Sequence, residues 1–417
     1  MTEPPIVAPA PPPSPSRPRP PAGYERVFAP RGAARWWGIP LVAASFLVLL
    51  VIAGMALLPA ELVADKPMPD PDHEGATIDV DTPYALVPAG AQPVADRVSY
   101  GDDLGDDIAV DTDPDGRVYF VTISEPPQSL LGYWVAQDEP EIQFSTYEEK
   151  YGSQTPSQQR TVSLQMMRSS SQVAQYVALT RAGFDAEIVP GHVQIGSLIC
   201  LEVTAGRCSQ YVPNADQLDE GDTMVEVDGH TIETLDDMTV ALADNEPGDT
   251  IEVTVDRIDV GEMTVDVELM SASEDPTSPD YQRPIIGFEP FDTRSVELPF
   301  EIEIDTGEIG GPSAGLAFTL TLIDELTEGD LLGGNDAAVT GTIELDGTVG
   351  PIGGLIQKAS AVRQAGLDYF LVPAGQGAEE IAAAQEIAGD GVELIPVATV
   401  DEALAALEAL GGDPLPD

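Results

Sequence analysis

The hydrophobic pattern changes character several times along the chain, and each change predicts a different kind of structure. From Trp36 to Leu58 the residues carry no charge and are mostly apolar, with the run Phe46-Leu47-Val48-Leu49-Leu50-Val51-Ile52 near the centre. That length matches the roughly 20 helical residues that cross a bilayer. Between 100 and 183 the pattern is mixed: 118–123 reads as a strand and 169–182 as a helix closed by Gly183. From 184 to 272 come short strand-like runs broken by turn residues, at 197–203, 250–255 and 263–269. Asp228-Gly229 sits between two of these runs as a hairpin turn, and Thr234 opens a short helix as its cap, with Asp237 at the third helical position. Beyond 285 strands and helices alternate. Residues 300–305, 369–372 and 392–397 read as strands; 314–326, 354–366, 379–388 and 400–410 read as helices, the first of them almost wholly apolar and hence buried.

These patterns describe a multidomain chain. It has a Pro- and Arg-rich tail (1–35), an apolar helix (36–59) and a linker and adaptor segment (60–183). A small β-rich domain (184–272), a linker rich in Ser, Glu, Asp and Pro (273–284) and an α/β or α+β domain (285–417) follow. The tail holds Arg17, Arg19, Arg26, Arg31 and Arg35 against Glu3 and Glu25, so the positive-inside rule keeps the N-terminus cytoplasmic and everything after residue 60 outside. A cleaved signal peptide is the competing reading; the long basic region and the full-length apolar run favour an anchor. No chemistry is legible in 60–183.

Composition narrows the function classes. The formal charge is -54, from 18 Lys and Arg against 72 Asp and Glu, and no basic cluster follows the tail, which excludes a nucleic-acid footprint. His73, His192 and His230 are scattered without metal-ligand spacing, so no metal or cofactor is expected. Cys200 and Cys208 are close enough for a small disulfide loop, which an oxidising compartment permits, or they remain two thiols. Lysine occurs only as Lys66, Lys150 and Lys358, which draws attention to the one lying in a Gly-rich apolar stretch.

Gly311-Pro312-Ser313-Ala314-Gly315 fits the G-x-S-x-G pattern of a nucleophile elbow. An elbow of that kind needs a His downstream of the Ser, and the last His is His230, so an esterase reading is disfavoured and another base is required. On a helix starting near Gly354, Leu355, Ala359 and Val362 form an apolar face with Lys358 at its edge, while Gln357, Ser360 and Gln364 face away. An amine held against apolar surface loses hydration and with it basicity, and can then deprotonate a serine; the bland alternative is a Lys that snorkels to water. Gly310, Gly311 and Pro312 permit close backbone approach where amide N–H groups could meet an oxyanion, or they are only a helix entry turn. The Thr340 hydroxyl could orient the Lys358 amine, or Thr340 is an ordinary strand end.

Taken together, Gly311-Pro312-Ser313-Ala314-Gly315, Thr340-Gly341, Gly353-Gly354-Leu355 with Lys358, and Phe370-Leu371-Val372-Pro373-Ala374 resemble the proteolytic domain of Lon proteases over about 285–410. The Leu218–Asp228 stretch, the Asp228-Gly229 turn, the short helix and Pro247-Gly248-Asp249 resemble a PDZ domain, a family in which an extended peptide adds to a sheet edge. Tail, span and both domains together resemble bacterial membrane-anchored PDZ–Lon proteases. The resemblance implies Ser313 as nucleophile, Lys358 as general base and Thr340 as a helper, with Gly311 and Pro312 supporting. It also implies protein or peptide substrates and a homo-oligomer, a hexamer by analogy. Two departures matter: no G-x-x-x-x-G-K-[ST] occurs, so an ATP-independent peptidase acting on unfolded or flexible segments is expected, and Gly310 stands where an acidic residue is usual. The alternative is a non-catalytic membrane scaffold that binds protein C-termini.

Overall fold

The computed structural model describes residues 34–69, 77–101, 103–105, 108–112, 114–152, 154–204, 207–273 and 278–415. The tail expected at 1–35 lies outside these residues but for its last two. The chain falls into two units, Met1–Met55 and Ala56–Asp417. In the first, the described residues belong to one helix, Ala34–Leu57, whose Pro40–Leu57 stretch has a mean hydropathy of 2.5 and no buried residue. At 1.5 Å per residue its 24 residues give about 36 Å, enough for a hydrocarbon core of about 30 Å.

The second unit is built on two sheets. The first has six strands in the order Glu393–Val397, Tyr369–Pro373, Ala337–Val339, Val118–Ser124, Tyr84–Pro93 and Gln143–Ser145. The first four pair in parallel, and Tyr84–Pro93 pairs antiparallel with the strand on either side of it. Successive side chains of a strand point to opposite faces, and the sequence uses this to fill two layers. Phe120, Val339 and Leu371 join one buried cluster with Met167, Ala174 and Phe318; Val121, Ala338 and Phe370 join another with Leu355, Ala359 and Val362. The long helix Pro156–Arg181 packs on the helix Gly315–Leu326 on the first face, and Leu355–Ala365 packs with Ala378–Ala388 on the second. Every residue of Gly315–Leu326 is buried, including Asp324 and Glu325 in its last turn, as its mostly apolar character predicts.

The stretch 60–183, expected as linker and adaptor, therefore supplies three strands of this sheet and a helix of its first layer. The helix read at 169–182 starts thirteen residues earlier, at Pro156, where Thr155 and Gln158 form a capping box with Pro at the first helical position. Residues 60–95, read as a linker, hold three strands, Asp65–Pro69, Thr77–Asp81 and Tyr84–Pro93.

The second sheet is antiparallel, in the order Gly261–Glu268, Thr250–Arg257, Thr223–Val227, Val193–Leu198 and Phe288–Asp292, with His230–Thr231 hairpinned onto Thr223–Val227. Asp228 and Gly229 take φ of 48° and 80°, the pair of positive angles that a two-residue hairpin of this kind requires. Thr234 caps the helix Leu235–Leu242 in a capping box with Asp237. Asp222, 1% exposed, is held by two bonds from Arg257 at 2.8 and 2.6 Å. The fifth strand, Phe288–Asp292, lies beyond the expected 184–272 limit, and the 273–284 stretch contributes the turn Pro279–Gln282 and a short pairing of Pro284–Ile285 with Met270–Ser271. A strand not read from the sequence, Arg207–Tyr211, pairs with Cys200–Thr204, and Cys200 and Cys208 are disulfide-bonded. Two short strands, Glu187–Val189 and Ser295–Glu297, pair where the chain enters and leaves this sheet.

Candidate active site

Ser313 stands in the turn that opens Gly315–Leu326, and the turn is fastened from two sides. Gly311, at φ 86°, donates its N–H to the Ser163 carbonyl at 2.8 Å, and the Ser170 hydroxyl donates to the Pro312 carbonyl at 2.9 Å. The Ser313 carbonyl accepts from the Thr340 hydroxyl at 3.0 Å and from the Gly341 N–H at 2.9 Å. Gly315 lets the helix start close against its neighbours: a Cβ there would stand 2.6 Å from Ile343 Cγ2.

Lys358 lies on Leu355–Ala365, on the opposite face of the sheet, and reaches the carboxyl ends of the parallel strands. Thr340 directly follows the strand Ala337–Val339, and Val339 is in register with Phe120, so Thr340 comes beside Val121. There the Lys358 ammonium donates to the Val121 carbonyl at 2.8 Å, to Ser313 Oγ at 2.9 Å and to Thr340 Oγ1 at 3.1 Å. Its side chain does not snorkel: the residue is 2% exposed. Burial alone, with no carboxylate to offset it, pushes the amine down from 10.5 to about 7. Gln357 and Ser360, expected to face solvent, are buried as well. Ser360 accepts from Arg363 and Gln364 and donates to Glu141, whose segment packs over that side of the helix. Only Gln364 of the three is exposed.

The expected oxyanion donors change. The Gly311 N–H is committed to Ser163 and Pro312 has none, so among the described residues the N–H groups of Gly310, Ser313 and Ala314 are left without a partner in this turn, the last two belonging to the serine itself and its neighbour. Three residues had no functional signal in the sequence: Val121, through its carbonyl, and Ser163 and Ser170, which fasten the turn. A backbone carbonyl has no side-chain signature, and only the pairing of the Val118–Ser124 strand with Ala337–Val339 brings it to the amine. Ser313 lines two cavities, of 440 and 250 Å³, one bordered by Val121, Met167 and Lys358 and the other by Thr342 and Ile352. Pro312 and Thr342 also border a third, of 380 Å³, walled by Met166, Val173, Ile188 and Val296.

Comparison with known proteins bears on this stretch of the chain. Residues 300–409 match the family model described as the Lon protease (S16) C-terminal proteolytic domain. The chain is 39% identical over 94 residues to the Lon protease of Azospirillum brasilense, covering 22% of this chain and 11% of that one. It is 37% identical over 110 residues to the Lon protease of Chloroflexus aggregans, covering 26% and 13%. The chain thus spans a small part of the length of the curated relatives it matches. A solved PDZ domain of an SdrC-like protein from Listeria monocytogenes is 20% identical, with a TM-score of 0.19, over 25% of this chain and 92% of that one. The second domain of another Listeria protein is 20% identical, with a TM-score of 0.18, over 25% and 88%. Ser313, Thr340 and Lys358 all fall within 300–409, the stretch that is similar to the proteolytic domain of Lon proteases.

Proposed function

We propose that the chain is a membrane-anchored serine endopeptidase, independent of ATP, in which Ser313 is the nucleophile, Lys358 the general base and Thr340 the group that orients the amine. The observation that carries this reading is the 2.9 Å approach of Lys358 Nζ to Ser313 Oγ, with the amine buried. Counting protons gives the direction of transfer. The Thr340 hydroxyl spends its hydrogen on the Ser313 carbonyl, so toward Lys358 it only accepts. A neutral amine has two N–H bonds, and the Val121 carbonyl and Thr340 Oγ1 take both. Its lone pair is left for one group, the Ser313 O–H.

In the proposed reaction Ser313 Oγ attacks the scissile carbonyl carbon as its proton passes to Lys358 Nζ. The oxygen of the tetrahedral species meets the free N–H groups of Ser313 and Ala314. The new ammonium returns its proton to the leaving amine, and water then repeats the sequence to release the acyl group. Absence of a phosphate-loop motif from the 417 residues supports action without nucleotide, on segments already unfolded or flexible. The antiparallel sheet of 193–292, with its capped helix and hairpin, supports a PDZ-like unit that presents substrate or gates access. The helix Ala34–Leu57 supports a single span with the catalytic unit outside.

Full-length protein in detergent, given a labelled unfolded protein, tests the reading. Ser313→Ala and Lys358→Ala are each expected to abolish cleavage while circular dichroism is unchanged, and ATP to have no effect on the wild type. Wild-type turnover by either variant would overturn it.

A further inference from the structure

An apolar surface begins where the N-terminal helix ends, and nothing among the described residues covers it. Leu57, Leu62 and Val63 are 86%, 61% and 53% exposed, and Trp134 and Val135 are 62% and 61% exposed. Two segments far apart in sequence are pinned together to make it. The Ala60 N–H donates to the Gln128 carbonyl at 2.9 Å, the Leu130 N–H donates to the Leu58 carbonyl at 2.8 Å, and Pro59 and Ser129 bridge. Ala60 and Ala64 are fully buried, which shows this stretch to be packed down. Trp134 follows Leu130 by four residues on the helix Leu130–Ala136, and so lies on the helix face whose first residue is tied to Leu58. In a chain of net charge -54, Glu61 is the only charged residue in 57–64 and 127–137.

We propose that this surface sits in the boundary between lipid head groups and acyl chains, an inference that rests on the membrane-anchored reading above. Connectivity selects this occupant over a protein partner. Leu57 is the last residue of a helix about 36 Å long, which brings its end to the interface of a core about 30 Å thick. Leu58 follows at one Cα step, about 3.8 Å, and its carbonyl holds Leu130. A span therefore carries Leu58 and the helix tied to it to the bilayer surface, where Trp rings are preferred. Since the patch is nearly uncharged, zwitterionic lipid suffices. The Leu130–Ala136 helix lies between two strands of the catalytic sheet, Val118–Ser124 and Gln143–Ser145, so lipid contact also sets how Ser313 faces the membrane.

Full-length protein with Trp36→Phe and Trp37→Phe keeps Trp134 as its one tryptophan. In phosphatidylcholine vesicles, acyl chains brominated near the glycerol end are expected to cut Trp134 emission by about twofold or more relative to unbrominated lipid. A companion carrying Trp134→Phe reports on Trp36 and Trp37 in the same vesicles. Unquenched Trp134 alongside a quenched companion overturns the inference and leaves the anchor standing. If neither is quenched, the anchor fails and the inference falls with it.

Discussion

Lys358→Met exchanges a buried amine for an apolar side chain of similar length, and its effect on folding follows from the surroundings of Nζ. The folded-state value of about 7 lies below the free value of 10.5, so between these limits the unfolded chain binds a proton that the folded chain has released. Wild-type stability from this group therefore rises with pH across that window and is fully penalised below it. A difference of 3.5 units (10.5 minus 7) corresponds to about 5 kcal/mol opposing folding at pH 6. Against this, the substitution leaves the Val121 carbonyl, Ser313 Oγ and Thr340 Oγ1 without their donor, at about 1 kcal/mol each. The variant should then be more stable by about 2 kcal/mol at pH 6, a rise of a few degrees in Tm, and inactive. Its advantage should shrink by about 1.4 kcal/mol per unit above pH 7 and change sign near pH 8.5. Thermal melts of both proteins at pH 6, 8 and 9.5 measure this. A variant less stable by the same amount at all three would refute the reasoning, because it would mean an amine that keeps its hydration and its proton.

The same buried amine predicts that kcat/KM rises tenfold per unit up to about pH 7 and then levels, and that Lys358→Arg, which cannot lose its proton, is inactive across the range. Thr340→Val removes the acceptor for one N–H of Lys358 and should lower kcat about 10- to 100-fold with KM unchanged, the equivalent of a hydrogen bond to a charged group; Thr340→Ser should restore most of it. Glu325, buried beside Tyr100, whose O–H donates to it at 2.7 Å, is raised by burial to about 7. The folded chain thus holds a proton that the unfolded chain releases above about 4.5, and the associated stability is lost as pH rises from there to 7; melts of Glu325→Gln between pH 5 and 8 should lack that decline.

What the sequence makes legible is local. The Asp228-Gly229 turn, the Thr234 cap and the buried helix behind Ser313 follow from backbone preferences within a few residues, and the structure shows each of them. The rarity of lysine and its Gly-rich setting draw attention to Lys358 without stating what dries it. Illegible is what depends on pairing across distance. Nothing near Tyr84 or Val118 announces a sheet shared with residues 337–397, because a strand's partner is fixed by tertiary packing. Ser360 looks like a solvent-facing position until Glu141 and its segment cover it.

Pairing across distance also changes what the two sheets are to each other. The six-stranded sheet takes strands from 84–145 and again from 337–397, so the antiparallel sheet of 193–292 is an insertion within it rather than a module strung before it. A fragment beginning at residue 285 would lack Val121, and the Lys358 amine would lose one of its three acceptors and much of its cover. The insertion is joined through the ladder of Glu187–Val189 with Ser295–Glu297, and it touches the long helix where Gln158 donates to the Leu198 carbonyl at 3.1 Å. Ile188 and Val296 of that ladder wall the cavity bordered by Pro312, the residue before Ser313, and by Thr342, the residue after Gly341. In the proposed reading, a peptide that displaced the inserted sheet would act on the ladder first, and Ile188 and Val296 share that cavity with Pro312. In that reading, substrate presentation and access to the nucleophile would be one mechanical question.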